Sequence, residues 1–429
     1  MPASPPTAFP DYAGRTLLVL GGRPIGSCDI VAYAQACGAR VIVTDYLELS
    51  QSPAKQLADE TWELSTAEIS PLVERARRRG VDAVFTGAHE FNLRQAEQVC
   101  QRLGLPFYAG PGQLELTSDK RRYKRVFASH GLDSIPELCA SGPRTYPLLL
   151  KPVAGSGAHG IRLCEDEVAF VRNYPQALDE AGDPANILIE PYLPGTELTA
   201  FYLVQDGQAR LTALADRLTT PVGSGLIRLP CFYRWPSRQQ AHYRERVDAG
   251  VVAALDAMGL RNGMAFVQFM LSDGRFLPYD MGFRLTGTQE YHLLQHACGF
   301  NPLHMLVDHA MTGHLGQTGA QVRIDPVFGG RHAASLTLLA RPGRIGRFVG
   351  LAQAAMLEHV VRVIPNHPEG TLIPDAASGT LNQVAVRVLL LAGSETALHA
   401  AVNAAARCVR VLDTDGRDML LPAPCMETT

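Results

Sequence analysis

Lysine is nearly missing from this chain. Of 39 basic residues, only Lys55, Lys120, Lys124 and Lys151 are lysine. No apolar run approaches the ~18–20 residues of a membrane span. The start, Met1-Pro-Ala-Ser-Pro-Pro6, has neither the basic nor the apolar region of a secretory signal. CxxC pairs are absent. The cysteines number nine and are scattered singly, which argues against a disulfide framework or a zinc site and for reduced thiols in a cytoplasmic protein. There are no internal repeats. A net charge of −3 leaves no electrostatic footprint for nucleic acid. The one dense basic cluster, Arg75, Arg77, Arg78 and Arg79, follows a helical apolar pattern (Ile69, Leu72, Val73, Ala76) and reads as a solvated face. Two nucleotide fingerprints are also missing. Gly21-Gly22-Arg23-Pro24-Ile25-Gly26 does not have GxGxxG spacing, and Pro24 removes a donor a pyrophosphate would need. GxxxxGK[ST] is not matched anywhere.

What is present describes a globular protein of several units. The chain has 429 residues, 46% apolar and 19% charged, enough for two to four domains with substantial cores. Strands at 16–22, Arg40–Asp45 and Val81–Thr86 alternate with helices from about Ile25 to Cys37, around the arginine cluster, and up to about Leu103. That alternation predicts a parallel α/β sheet. A second unit begins near Thr117, with Ser118 or Asp119 capping a helix that Gly131 stops. Strands follow at 147–152, 160–164, 186–190, 197–205 and 209–216, with a helix over 166–180. A helix over 238–258 leads to a hairpin, 263–271 and 275–280, turning at Ser272-Asp273-Gly274. This middle region reads as α+β. Beyond about 321 the expected elements are strands at 334–340 and 384–392 and a helix over 395–408.

The scarce lysines direct attention to one segment. Lys151 follows the apolar run Leu148-Leu149-Leu150 and opens Lys151-Pro-Val-Ala-Gly-Ser-Gly-Ala-His-Gly160. A compact ammonium beside flexible, exposed backbone N–H groups suits a polyphosphate. Gly155, Gly157 and Gly160 let that loop bend around phosphate oxygens, and Ser156 adds a hydroxyl. His159 either contacts phosphate or fills a variable position. Next, Glu190-Pro-Tyr-Leu193 and Gly195-Thr-Glu197 read as a hinge with two carboxylates, or as an ordinary surface turn. Third, Gln268 and Asp280-Met-Gly-Phe-Arg284 offer oxygen ligands and a guanidinium to phosphoryl transfer. A structural salt bridge is the plainer reading of Asp280 and Arg284. Arg23, His89, Glu90 and Asn92 lie on loops or caps of the first region. Arg228, Gln289 and His292 lie around the later strands. Each is a candidate substrate contact, with a solvated or structural role the commoner one.

In this order, the segments resemble the ATP-grasp superfamily, in the branch of carboxylate–amine ligases that includes L-amino-acid ligases, biotin carboxylase and carbamoyl-phosphate synthetase. The resemblance covers nearly the whole chain. It implies a pre-ATP-grasp parallel α/β domain over 1–117, a two-lobed ATP-grasp domain over 118–320 with its hinge near 190–197, and a small C-terminal α+β lobe over 321–429. By that resemblance, Lys120 and Lys151 contact phosphates, with Lys124 a lesser candidate. The loop residues Gly155, Ser156, Gly157 and Gly160 close over the phosphates. Glu190 lies on the adenine side, the backbone of Tyr192 and Leu193 forms the hinge contact, and Glu197 faces the ribose. Asp280 and Gln268 hold Mg2+, and Arg284 stabilises the transferred phosphoryl group. Two positions depart from the family pattern: Gln268 stands where a glutamate is usual and Gly282 where an asparagine is usual.

The implied function is an ATP-dependent ligase that joins a small-molecule carboxylate to an amine through an acyl phosphate, with ATP and Mg2+ as cofactors. Dimers are common in that branch. The alternatives are a carboxylase or carbamoyl-phosphate-type enzyme using bicarbonate, and a non-catalytic ATP-binding protein. Against the carboxylase stand the single ATP-grasp unit and the lack of an Ala-Met-Lys-Met biotinyl segment.

Overall fold

The computed structural model of the chain describes residues 9–23, 26–155, 160–222, 228–316 and 322–424. Pro24, Ser156, Gly157 and His159 lie outside the described residues. Chain contacts group the protein into two compact units. One comprises Met1–Pro111, Leu285–Gln289 and Asn301–Val322. The other comprises Gly112–Arg284, Glu290–Phe300 and Arg323–Thr429.

In the first unit, β1 (Thr16–Leu20), α1 (Ser27–Ala36), β2 (Arg40–Asp45), α2 (Pro53–Leu57), β3 (Glu60–Glu63), α3 (Ile69–Arg79), β4 (Ala83–Thr86) and α4 (Glu90–Leu103) form a sheet of order β3-β2-β1-β4. All its strand pairs are parallel, as the alternation of strands and helices predicts. Leu17 to Leu20 are fully buried, since helices cover both faces of such a sheet. The α3 helix turns Leu72, Val73 and Ala76 inward and leaves its arginines exposed. β3 was not expected from sequence. Its Glu-Thr-Trp-Glu run hides only Trp62, so it carries the signature of an exposed edge. Asp45, at the end of β2, is fully engaged. It pairs with Lys55 at 2.9 Å and accepts from Gly22 N–H and Ser52 Oγ at 2.8 Å each. That network fits the rejection of a dinucleotide-binding reading, because this carboxylate is not left for a ribose.

The second unit opens with α5 (Pro111–Ser118) and α6 (Lys120–Ser129). Then β5 (Leu148–Pro152), β6 (Arg162–Cys164), α7 (Glu167–Ala181) and β7 (Ile187–Pro191) make an antiparallel sheet of order β6-β5-β7 with α7 packed on it. A long run follows: β8 (Thr196–Gln205), β9 (Gln208–Pro221), β10 (Arg228–Trp235), α8 (Gln240–Arg246), α9 (Asp248–Ala257), β11 (Gly263–Ser272), β12 (Arg275–Gly282) and α10 (Tyr291–Cys298). The helix expected over 238–258 is two helices, because Val247 at φ −128° interrupts it. After α10 comes α11 (Pro302–Thr312), which belongs to the first unit. There Asp308 accepts the hydroxyls of Tyr12 and Tyr33 at 2.8 Å each, and the Tyr33 ring stacks on His304 at 3.8 Å.

The remaining elements are β13 (His332–Leu339), β14 (Gly343–Val349), α12 (Leu351–Ala355), β15 (Val360–Pro365), β16 (Leu372–Ile373), β17 (Val384–Ala392), α13 (Glu395–Cys408) and β18 (Arg410–Asp413). One eight-stranded sheet, ordered β12-β11-β8-β9-β10-β13-β17-β15, runs through the unit, and all its pairs are antiparallel. Leu336, Leu338, Val386, Val388 and Leu390 of β13 and β17 pack with Leu398, Val402 and Ala405 of α13. The strands β10, β14, β15, β16 and β18 and the helices α10 and α11 were not anticipated. Among the described residues no helix is long and apolar enough to cross a membrane.

Candidate active site

The start of α6 is fixed by its own sequence. Asp119 is the N-cap and accepts the N–H groups of Arg121 and Arg122 at 2.9 Å each. Lys120 N–H donates to Val153 O at 3.0 Å, and Asp119 bridges to Ala154. These bonds hold α6 against the end of β5. Lys120 Nζ then reaches Gly155 O at 3.1 Å. Lys124 lies one turn further on the same helix face. Gly155 and Gly160, at φ +138° and +71°, bound the glycine loop in backbone conformations that other residues rarely adopt. A cavity of about 400 Å3 opens here, lined by Asp119, Lys151, Gly160, Arg162, Glu180 and Asn186 among others.

Glu190 is the centre of the lysine cluster. In the β5–β7 register Leu149 faces Glu190, which puts Lys151 diagonally across from it. Lys151 Nζ donates to Glu190 Oε2 at 2.8 Å, and Lys124 Nζ donates to Glu190 Oε1. All three side chains are buried, with exposures of 8%, 8% and 1% for Lys151, Lys124 and Glu190. Burial depresses the Lys124 ammonium below its usual range, against the pull of Glu190. For Glu190, burial acts upward but Lys151 and Lys124 outweigh it, so its carboxyl sits below the usual range. Two lysines on one carboxylate leave a net positive charge in a desolvated place.

A second group lies on the eight-stranded sheet. Gln268 of β11 faces Asp280 of β12 in register, so both side chains lie on one face. Asp280 accepts no hydrogen bond among the described residues. Burial pushes its carboxyl up, and Lys120, Arg284, Lys151 and Arg217 oppose that shift. Phe266 faces Gly282 two residues along. A Cβ on Gly282 would lie 2.6 Å from the Phe266 ring, so no side chain fits where the family usually has asparagine. The same ring lies 5.2 Å from the Arg284 guanidinium. Among the described residues no three His, Cys, Asp or Glu side chains cluster as a metal cage. Asp280 with Gln268 still fits magnesium, which commonly takes one or two protein carboxylates and completes its shell with phosphates and water.

Several sequence candidates are placed differently from their expected roles. The N–H of Tyr192 is bonded to Pro147 O at 2.9 Å, so a hinge contact from Tyr192 must use its carbonyl. Glu197 is paired with Arg217 and accepts from Tyr279 OH at 2.8 Å, so a ribose would share that carboxylate. Arg228 is exposed and bonds back to Thr219, Nε to Oγ1 at 2.9 Å and Nη2 to the carbonyl at 2.7 Å. Its guanidinium serves the β9–β10 pair. Asn92 is buried, with Oδ1 accepting from Thr66 at 2.8 Å, and is a packing residue of the first unit. Arg23 and His89 are exposed in that unit, and Glu90 lies 3.9 Å from Arg94. Gln289 and His292 are both buried. Sequence reasoning missed Arg217 and Tyr279. The available signal was strand alternation, which sets Arg217 beside Glu197 once the β8–β9 hairpin is paired.

No family model matches the chain. The L-amino acid ligase from Bacillus licheniformis superposes with a TM-score of 0.74 at 17% identity, covering 94% of this chain and 99% of that one. The biotin carboxylase domain of the Hydrogenobacter thermophilus 2-oxoglutarate carboxylase, solved as a dimer with MgADP and bicarbonate, gives 0.74 at 17% identity and covers 94% and 91%. This is the ATP-grasp fold. Curated relatives agree with it. The 2-oxoglutarate carboxylase small subunit of H. thermophilus is 26% identical over 216 residues, 44% of this chain and 45% of that protein. Dapdiamide A synthase of Enterobacter agglomerans is 22% identical over 303 residues, 65% of this chain and 68% of that protein. Against the carboxylase, the ATP-grasp chain thus spans under half of the relative's length.

Proposed function

We propose that this ATP-grasp protein is an ATP-dependent ligase that joins a small-molecule carboxylate to an amine, releasing ADP and phosphate. One observation carries the reading. Three of the chain's four lysines, Lys120, Lys124 and Lys151, converge beside a glycine-bounded loop, and Lys120 and Lys151 act on an Asp280 carboxylate that accepts no hydrogen bond among the described residues. Lys120 and Lys151 would take the phosphates of ATP, Glu190 and the hinge carbonyl the adenine side, and Asp280 with Gln268 would hold Mg2+. Bound magnesium supplies charge neutralisation on the phosphates. The chain's own part is positioning. Lys151 would leave Glu190 for phosphate, Arg284 would meet the charge that grows on the transferred group, and the loop would keep water out.

The reaction follows in two displacements. A carboxylate oxygen attacks the γ-phosphorus, the bond to the ADP oxygen breaks, and an acyl phosphate forms. The amine nitrogen then attacks the acyl carbon, phosphate leaves, and the nitrogen loses a proton. The carboxylase relatives favour a second reading, in which bicarbonate is the carboxylate. The dimer of the 2-oxoglutarate carboxylase domain is carried over as part of the proposal.

The test is phosphate release from Mg·ATP across a panel of carboxylic acids and bicarbonate, with hydroxylamine as trap. Hydroxamate formation with an acid supports the ligase. Release with bicarbonate alone replaces it by the carboxylase reading. No release with any of them, despite ADP binding, sinks both and leaves a binding protein. Lys151→Ala should abolish release or raise the KM for ATP at least tenfold, and unchanged ATP kinetics would remove Lys151 from the site.

A further inference from the structure

The strand that carries Asp280 is irregular at one point. Gln268 of β11 faces Asp280 of β12, and the next pair is Phe269 with Pro278. Tyr279 is therefore one residue more than the ladder can pair, a β-bulge. A regular strand sends neighbouring side chains to opposite faces, and a bulge breaks that alternation. On β8, Thr199 faces Gln268 and Glu197 faces Met270, so Glu197, Gln268 and Asp280 share one face. The Tyr279 hydroxyl donates to Glu197 Oε2 at 2.8 Å. Tyr279 and Asp280, neighbours in sequence, thus both project to that face. The bulge is tied to α6, where the hydroxyl of fully buried Tyr123 donates to the Tyr279 carbonyl at 3.1 Å.

Tyr279 stands between the two ends of the proposed nucleotide site. Lys151 Nζ lies 6.0 Å from its ring centroid, and its hydroxyl meets Glu197. Arg217 closes the same group. Its Nη1 donates to Glu197 Oε2 and, at 3.2 Å, to Tyr279 OH, while its Nε donates to Tyr233 OH at 3.0 Å. Both donors to Glu197 therefore fall on Oε2, and a carboxylate oxygen has two acceptor positions. Oε2 is used up. Oε1 accepts no hydrogen bond among the described residues, and the Glu197 side chain stays 17% exposed. A carboxylate fixed through one oxygen, with the other open, presents two acceptor positions in a set direction. Two vicinal hydroxyls can fill them.

We propose that Arg217 and the bulged Tyr279 are positioning residues for nucleotide selection: they lock Glu197 so that Oε1 accepts from the 2′- and 3′-hydroxyls of ribose, and the site takes ribonucleotides over deoxyribonucleotides. This rests on the ATP-dependent ligase reading. Neither residue touches the ribose, and each acts through Glu197. The bulge is what allows it. A regular β12 would turn either Tyr279 or Asp280 to the opposite face, and the site would lose its ribose anchor or its metal carboxylate.

The experiment titrates the full chain with Mg·ADP and with Mg·2′-deoxy-ADP by calorimetry. The wild type should bind ADP about tenfold tighter or more, the worth of one hydrogen bond to a charged acceptor. Equal affinity for the two overturns the proposal. Tyr279→Phe keeps the ring beside Lys151 and the carbonyl bonded to Tyr123, and removes only the hydroxyl. It should narrow the ratio of the two affinities about threefold or more, by weakening ADP. Arg217→Lys keeps the charge, loses the planar fork and should narrow the ratio likewise. A merely structural role for these residues would weaken both nucleotides alike, so an unchanged ratio in the variants overturns the proposal. If one variant does not fold, the other decides. Failure of the wild-type chain to bind ADP at all would sink the ligase reading itself. ADP binding with a ratio that neither variant moves sinks only this inference.

Discussion

Replacing Glu190 by glutamine should produce a penalty that depends on pH in a calculable way. The substitution keeps the shape and removes the one negative charge between Lys124 and Lys151, all three being nearly inaccessible. Each lysine contact with Glu190 at about 3 Å is worth roughly 6 kcal/mol of attraction at an effective dielectric of about 20. The loss is capped, because a lysine left without its carboxylate can give up its proton. Deprotonating a lysine of ordinary pKa ~10.4 at pH 7.5 costs about 4 kcal/mol, and about 2 kcal/mol at pH 9. In the variant the folded-state lysine pKa is depressed below the unfolded value. The unfolded chain therefore binds more protons between the two, and stability rises with pH across that window. The wild type has the same trend in weaker form, since burial already depresses Lys124. For each lysine that loses its proton, the gap between variant and wild type should thus shrink from about 4 to about 2 kcal/mol between pH 7.5 and 9. The chain has two tryptophans, Trp62 in the first unit and Trp235 in the second. In a Trp62→Phe background, Trp235 fluorescence reports urea unfolding of the unit that holds the cluster. A Glu190→Gln protein within 1 kcal/mol of wild type at pH 7.5, or a gap that does not close at pH 9, would refute the burial of charge argued here.

Other expectations follow from single contacts. Asp280→Asn should raise the magnesium concentration needed for half-maximal phosphate release at least tenfold, and an unchanged magnesium titration would place the metal elsewhere. Gly282→Ala should cost about 1–3 kcal/mol in urea unfolding, because its Cβ would sit 2.6 Å from the Phe266 ring. The double variant Gly282→Ala with Phe266→Leu should recover part of that loss, and equal instability of both would count against the clash. Tyr12→Phe with Tyr33→Phe leaves buried Asp308 without its two hydroxyl donors and should destabilise the first unit by about 2–3 kcal/mol. Burial already raises the Asp308 carboxyl, so its ionisation weakens the fold as pH rises through that raised value, and more so in the variant. Trp62 fluorescence reports it.

Much of the fold was legible because its long elements repeat a clear period. β2, β17 and α13 match the expected bounds, since Arg40-Val-Ile-Val-Thr-Asp45 and 384–392 are buried apolar runs and 395–408 is a capped, alanine-rich stretch. The strands missed were edges or irregular ones. β14 and β15 are half-exposed with mixed polarity, and β10 carries Pro230 and a bulge, so neither alternation nor an apolar run marks them. In the candidate site, a rare residue type and a glycine loop singled out Lys120 and Lys151, and a strand ending in a carboxylate before a proline bend singled out Glu190. Arg217 could not be singled out. It is one arginine among many, and its place beside Glu197 exists only once the strands are paired.

The eight-stranded sheet has a consequence for any attempt to dissect the protein. Its order sets β10 beside β13, joining strands that lie before and after the segment near residue 320. A truncation ending there would strip β13, β17 and β15 from the sheet and bare the Phe232–Trp235 edge of β10, a ready template for pairing with another chain. It would also uncover the apolar residues of β10, Cys231 and Phe232, that pack into the α13 core. Such a fragment should aggregate on expression, whereas a cut inside the loop between β8 and β9, at Asp206-Gly207, leaves every strand neighbour in place.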